Sequence, residues 1–281
     1  MTLETLDSGV YRELVRRALA EDLGWGDITT SAVIGGEARA VARIVAGEDL
    51  VLAGIDVALE VFRQLDPGVS VVSQQSDGVC VGRGHVVAEL QGLAQPMLTA
   101  ERTALNVLRH LSGIATLTRR FVDATRGGLQ IADTRKTLPL LRALEKYAVR
   151  VGGGLSGRFS LDDGVILKRN HVRLAGGIAA AVARAHAAHP DVPVQVEVVS
   201  VDDTAAALAS GASVVLFSGT RLDDLTETVS RCRGRARVEV CGRWDVADLD
   251  AIARTGADFV SLGCLTDSAP AVDMHVELES R

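Results

Sequence analysis

From about residue 130 onward, apolar and polar positions alternate in blocks. Short apolar runs at Ile131–Asp133, Val165–Lys168, Val194–Val199, Val214–Phe217, Val238–Val240 and Phe259–Leu262 have the length and β-branched content of strands. Between them, about Leu141–Val151, Gly177–His189, Val201–Ser210, Leu222–Arg233 and Val246–Thr255 carry helical patterns. Strand–helix alternation of this kind builds βαβ units and hence a parallel sheet. Six or seven such units without a GxGxxG turn suit a barrel better than a dinucleotide-binding sheet. In a barrel, reactive residues belong at the C-terminal ends of the strands.

The first hundred residues follow another pattern. A helix over about Thr5–Ala20 leads into the turn-rich junction Gly24-Trp25-Gly26-Asp27. Strand-like runs follow at Ala40–Ala46, Val51–Leu52, Val69–Val72 and Val79–Leu90, with glycines between them. They predict a smaller α+β body of antiparallel strands. A long amphipathic helix, about Met97–Arg120, joins the two patterns.

Composition narrows the chemistry. Only 3% of the 281 residues are aromatic while 47% are hydrophobic, so the core is built from Ala, Val, Leu and Ile, as suits buried parallel strands. A net charge of −6 with no Lys/Arg-rich run disfavours a nucleic-acid partner, which needs a concentrated basic face. Cationic function must then be local, in a pocket. Cys80, Cys232, Cys241 and Cys264 show no CxxC spacing, read as buried small apolar residues, and point to a reducing cytosol. The start MTLETLDSGVYRELV lacks a signal-peptide pattern and no window approaches 18 apolar residues, so a cytosolic protein away from membranes is expected.

Against that apolar background, charges at predicted strand ends stand out. Asp133-Thr134-Arg135-Lys136-Thr137 follows one strand and Lys168-Arg169-Asn170-His171 another, while Glu197 and Glu239 lie inside two more. A charge within an apolar strand costs several kcal/mol unless it is paired or functional, so the set predicts a barrel mouth. Gly152-Gly153-Gly154 with Arg158 beyond reads as part of an anion cradle, or as a plain loop. Cys241-Gly242-Arg243 and Ser261-Leu262-Gly263 follow the last two strands, where barrels often bind phosphate, or are simple βα turns. His171 lies beside Lys168 and could orient a neighbouring group or be a hydrogen-bonded structural residue; His186 and His189 read as the exposed face of an Ala-rich helix. No Ser-His-Asp order, Walker loop or HExxH occurs, which leaves hydrolase and triphosphatase readings without support.

Several stretches together resemble the quinolinate phosphoribosyltransferase family. They are Glu21-Asp22-Leu23-Gly24-Trp25-Gly26-Asp27-Ile28-Thr29-Thr30, Glu101-Arg102-Thr103-Ala104-Leu105-Asn106, Leu111-Ser112-Gly113-Ile114-Ala115-Thr116, Asp133–Thr137, Lys146-Tyr147-Ala148-Val149-Arg150, and Ser261-Leu262-Gly263 with Leu265-Thr266. The resemblance spans nearly the whole chain. It implies an α/β fold: an N-terminal α+β open sandwich over residues 1–112, then an incomplete, seven-stranded α/β barrel over 113–267, the tail 268–281 returning to the first body. It also implies a homodimer with a shared active site. The reaction would join quinolinate and 5-phosphoribosyl 1-pyrophosphate into nicotinate mononucleotide, with release of pyrophosphate and carbon dioxide and with Mg²⁺ assisting. By that pattern the partner's Arg102 with Arg135, Arg158 and Lys168 would hold carboxylates. Lys136 would face pyrophosphate, and Glu197 would bind ribose hydroxyls or metal. Lys136, Lys168 and Glu197 are the catalytic candidates; Thr134, Arg169, His171, Ser218, Gly242, Arg243, Ser261 and Gly263 complete the substrate-binding set.

The departures from the family pattern fall at ligand-facing positions. Family Asn-His-Arg is Ser156-Gly157-Arg158, Lys-Asp-Asn-His is Lys168-Arg169-Asn170-His171, and Leu-Asp-Asn is Phe217-Ser218-Gly219. Glu-Ala-Ser-Gly-Gly is Glu239-Val240-Cys241-Gly242-Arg243, and Thr-Pro-Gly is Leu138-Pro139-Leu140. Two carboxylates lost and two arginines gained shift the local formal charge by about +4. Three readings stay open: a quinolinate enzyme with compensating residues, a site repurposed for another anionic substrate, and a non-catalytic binder of an anionic metabolite.

Overall fold

The computed structural model describes residues 6–281. In chain order the elements are α1 (Ser8–Leu23), α2 (Ile28–Val33), β1 (Arg39–Ala46), β2 (Leu50–Val51), α3 (Ile55–Leu65), β3 (Ser70–Gln74), β4 (Cys80–Val81), β5 (Val86–Leu93) and α4 (Ala94–Ala124). Then come β6 (Gln130–Ala132), α5 (Arg142–Val151), β7 (Val165–Leu167), α6 (Arg169–Ala175), α7 (Ile178–Ala188), β8 (Val194–Val198), α8 (Val201–Ala209), β9 (Val214–Phe217) and α9 (Leu222–Cys232). The chain closes with β10 (Arg237–Gly242), α10 (Leu249–Thr255), β11 (Phe259–Leu262), α11 (Cys264–Asp267) and β12 (Met274–Ser280). Two compact units result. One takes the described residues up to Arg119 with Ala143–Gly153 and Ala269–Arg281; the other takes Arg120–Arg142 and Gly154–Ser268.

In the first unit, a four-stranded antiparallel sheet has the order β12-β1-β5-β3. Alternate residues of β1 (Ala40, Ala42, Ile44) are buried, which fixes the register because a one-residue slip would turn them outward. Arg43 on the other face bonds Glu89 of β5 (2.7 Å) and Glu279 of β12 (2.9 Å), tying three strands. The Gly24–Asp27 junction works as a turn and a cap: Asp27 accepts from Thr30 N–H at 2.8 Å and Thr30 Oγ1 at 2.6 Å, starting α2. Those bonds hold its carboxyl below the usual range. Residue Thr5 of the expected first helix lies outside the described residues.

Long α4 buries Met97, Ala100, Ala104, Leu108, Leu111 and Ala115 at three- and four-residue spacing. Gly113 in its interior is needed because a Cβ there would lie 2.1 Å from the Pro270 carbonyl oxygen. Gly152, read as part of an anion cradle, is a packing residue: a Cβ would lie 2.6 Å from the Ala115 carbonyl oxygen. The run expected at Val79–Leu90 divides into β4 and β5 because Gly84 turns the chain at φ +81°. Of the four cysteines expected to be buried, Cys232 is; Cys80 is exposed and Cys241 and Cys264 are half-buried.

The second unit is a six-stranded parallel sheet, order β6-β11-β10-β9-β8-β7. This is the order left when a barrel's ring of strands is opened at one seam, between β6 and β7. Seven strands were expected. The seventh is a single bridge: Leu155 pairs with Ala132 through bonds of 2.7 and 3.0 Å. It stops there because Asp133 draws the next residues out of the ladder, accepting from Gly157 N–H at 2.8 Å and from Ser156 Oγ at 3.1 Å.

Candidate active site

Side chains alternate across a strand, so β10 turns Arg237, Glu239 and Cys241 to one face and buries Val238 and Val240 on the other. Gln195 and Glu197 of β8, Leu216 of β9 and Ser261 of β11 face the same side, around a cavity of about 860 Å³. Its walls run from strand-opening residues (Gln130, Val214, Arg237, Phe259) to the C-terminal ends with Thr134, Arg135, Lys136, Lys168, Ser218 and Gly242. Barrel interiors are ordinarily packed with side chains; short residues such as Ala132 and Ser261 leave this one hollow.

Two loops deliver the guanidinium groups. Asp133, 3% exposed, anchors the Ser156–Gly157 backbone, so Arg135 after β6 and Arg158 after the Leu155 bridge come to one wall. Arg142 joins the loops, donating to Thr137 Oγ1 (3.1 Å) and the Phe159 carbonyl (3.2 Å). Arg158 donates from Nη1 to the Gly164 carbonyl at 2.8 Å. Its pKa is lowered by burial and then by the charge of Arg135. The Nε atoms of both arginines are buried without a hydrogen-bond partner. Two repelling cations with unused donors are the arrangement that a multivalent anion would suit.

Lys136 follows in the same turn, its N–H donating to Thr134 Oγ1 at 3.1 Å. Gly263 makes room for it, since a Cβ there would meet Lys136 Cδ at 2.9 Å. Thr266 Oγ1 clamps the Lys136 carbonyl at 2.6 Å. Lys168 is the N-cap of α6: His171 Nδ1 accepts its N–H at 3.0 Å, and Glu197 Oε2 accepts the Arg169 N–H at 3.2 Å. The polar tetrad Lys168–His171 is thus a helix start as well as a strand end. Ser218 N–H bonds the Val198 carbonyl at 3.0 Å.

The cavity wall brings together Thr134, Arg135, Lys136, Arg158, Lys168, Glu197, Ser218, Gly242 and Ser261 of the expected set. Arg169, His171, Arg243 and Gly263 are not part of that wall; Arg169, His171 and Arg243 are exposed. Arg102 lies exposed on α4 in the first unit. Glu239 belongs deeper than the mouth, at mid-strand beside Leu216 and Phe259. Sequence reading missed Gln195, although its two-residue spacing from Glu197 in an apolar strand marks it as sharing that face. It also missed Trp244, whose indole covers Gly242 so closely that a Cβ there would meet Nε1 at 2.7 Å. Burial pushes the Cys241 thiol up to about 11, aided by Glu239 and Glu197. It also raises the Glu239 carboxyl against the bonds from Ser261 and Gln195.

Fold and cavity together define an α/β protein with a cleft lined by Arg135, Lys136, Arg158 and Lys168 in a parallel-sheet unit. Two family models, described as the N-terminal and C-terminal domains of quinolinate phosphoribosyl transferase, match residues 27–112 and 114–277. Nicotinate-nucleotide pyrophosphorylase [carboxylating] of Mycobacterium leprae is 40% identical over 274 residues, covering 95% of this chain and 96% of that one. The crystal structure of NadC from Streptococcus pyogenes superposes with a TM-score of 0.95 at 36% identity, covering 99% of both chains. The nicotinate-nucleotide pyrophosphorylase of Francisella tularensis gives 0.94 at 37% identity, again over 99% of each. The chain belongs to the quinolinate phosphoribosyltransferase family.

Proposed function

We propose that this chain transfers phosphoribose from 5-phosphoribosyl 1-pyrophosphate to quinolinate, giving nicotinate mononucleotide, carbon dioxide and pyrophosphate. The observation that carries the reading is the pair Arg135 and Arg158, repelling each other with unpartnered Nε atoms on one cavity wall. A pyridine dicarboxylate supplies the two charges such a pair lacks. Bidentate guanidinium–carboxylate contacts then fix the ring so that its nitrogen faces the anomeric carbon of the donor. Lys168 adds a further cation for the carboxylates, and Lys136 offsets charge on the departing pyrophosphate, a task that needs a fixed cation and no covalent nucleophile. Gly242 and Ser261 line the end of the cavity suited to the 5-phosphate.

Among the described residues no cluster of three His, Cys, Asp or Glu could hold a metal. The donor set fits an ion carried in by the diphosphate: Mg²⁺ commonly takes one or two carboxylates plus substrate phosphates. Glu197 would hold it through Oε1, its Oε2 being used by Arg169 N–H, and the ion would neutralise diphosphate charge. A homodimer in the cytosol, with Arg102 contributed by the second copy, completes the reading. Gly157 and Ser218, where the family carries His and Asp, favour a second one: an anionic acceptor other than quinolinate in the same cleft.

Incubation with quinolinate, 5-phosphoribosyl 1-pyrophosphate and Mg²⁺ should release pyrophosphate and nicotinate mononucleotide in equal amounts. Arg135→Ala should weaken quinolinate binding by about 10–100-fold, the loss of a charged bidentate contact, read by calorimetry. A folded wild-type protein that forms neither product would send the search to other acceptors. Unchanged affinity in the variant would remove the dicarboxylate role from this wall.

A further inference from the structure

We propose that Glu239 is the proton donor that completes the decarboxylation, an inference that rests on the phosphoribosyl-transfer reading above. After transfer, the ring nitrogen is cationic. The bond between ring carbon 2 and its carboxylate breaks, carbon dioxide leaves, and the electron pair stays on that carbon, beside the positive nitrogen. One proton must then reach carbon 2 in each turnover, before carbon dioxide recombines.

Three carboxyl groups line the cavity, and two have structural duties. Asp133 holds Ser156 and Gly157. Glu197 accepts the first amide of α6. Glu239 bonds only side chains: Gln195 Nε2 donates to its Oε2, and Ser261 donates as well. It lies at mid-strand in β10, facing the cavity, with Leu216 and Phe259 as its register neighbours. Burial in that half-apolar setting makes its carboxyl keep a proton to higher pH than a solvated glutamate, against the bonds from Ser261 and Gln195 and the charge of Arg237 two residues before it. The Cys241 thiol two residues on, pushed up to about 11, is a much weaker acid. In the balanced step, the O–H bond of Glu239 breaks, a C–H bond forms at carbon 2, and the carboxylate left behind takes a proton from solvent between turnovers.

The test is Glu239→Gln, with pyrophosphate and carbon dioxide followed separately from quinolinate labelled in its 2-carboxylate. The expected result is pyrophosphate release within about threefold of wild type, carbon dioxide release slowed at least tenfold, and a dicarboxylate mononucleotide accumulating in the gap. Equal, near-wild-type release of both overturns the proposal. So does joint loss of both with quinolinate affinity retained, since Glu239 would then act before the carbon–carbon bond breaks. If the amide variant does not fold, Glu239→Asp serves: carbon dioxide release must fall behind pyrophosphate release and change its pH profile, and equal slowing overturns the role. Wild-type protein forming neither product is a different failure, that of the transferase reading itself.

Discussion

Arg135 and Arg158 show how a residue's meaning depends on its neighbours. Each has a buried Nε with no partner, and an unmet donor of that kind costs about 1–3 kcal/mol. A bound dianion recovers that cost, which links the local penalty to ligand affinity. Gly157, beside them, has room for a side chain: a Cβ would stand 3.4 and 3.5 Å from Asp133 oxygens, ordinary contacts, at a φ outside the left-handed region. Gly157→His should therefore fold normally and tighten quinolinate binding by roughly 3–10-fold, as a single added hydrogen bond does. Calorimetry showing no change would mean the loop does not face the acceptor. The thiols give a second test. With Cys232 and Cys241 pushed to about 11 by burial, only about one part in a thousand of each is thiolate at pH 8. Iodoacetamide should label exposed Cys80 first, and mass spectrometry of the modified peptides reads the order.

At the level of elements, much of the layout was legible from residue pattern. All six strands of the parallel sheet coincide with apolar runs read from the sequence, because both faces of a covered parallel sheet are apolar. Helices α3 and α6 were not read from the sequence. In α3 the signal was there, since Ile55, Ala58, Leu59, Phe62 and Leu65 follow helical spacing. In α6 the start is polar because its caps are His171 and Glu197, and such a start imitates a catalytic cluster. The site was half legible: charges at strand ends located the mouth, whereas the depth of Glu239 required the strand register. A third helix start carries its own prediction. Asp77 accepts from Gly54 N–H (2.7 Å), Ile55 N–H (3.1 Å) and Tyr147 Oη (2.7 Å), so Asp77→Ala strands three donors and should cost about 1–3 kcal/mol in urea unfolding. Burial raises the Asp77 carboxyl despite those bonds. A carboxyl raised on folding stabilises most fully below its unfolded value, near 4, and loses that contribution as pH rises through its folded value. The gap between wild type and variant should accordingly be wider at pH 4 than at pH 7; a wider gap at pH 7 would mean the bonds outweigh burial.

For the whole molecule, the proposed shared cleft makes a prediction that single variants cannot. If the second copy supplies Arg102, then Arg102→Ala and Arg135→Ala are each nearly inactive alone at quinolinate levels that their weakened affinity cannot use, but rescue one another when mixed and allowed to exchange. About half of randomly formed pairs are mixed and each mixed pair has one intact cleft, so turnover should recover to about a quarter of wild type. Mixtures as inactive as their parents would place Arg102 outside the reaction.

The pairing of β12 with β1 also bears on how the protein is made. Arg43 and Glu279, bonded across that pair, are 236 residues apart. At ordinary bacterial and eukaryotic translation speeds, β1 waits roughly 10–50 s for its neighbour to leave the ribosome. During that interval the parallel sheet can be completed while β1 presents a bare edge, the kind of surface on which nascent chains join one another. The first body to begin synthesis is thus the last to finish folding, and its solubility in the cell depends on whatever shields that edge until Met274–Ser280 arrives.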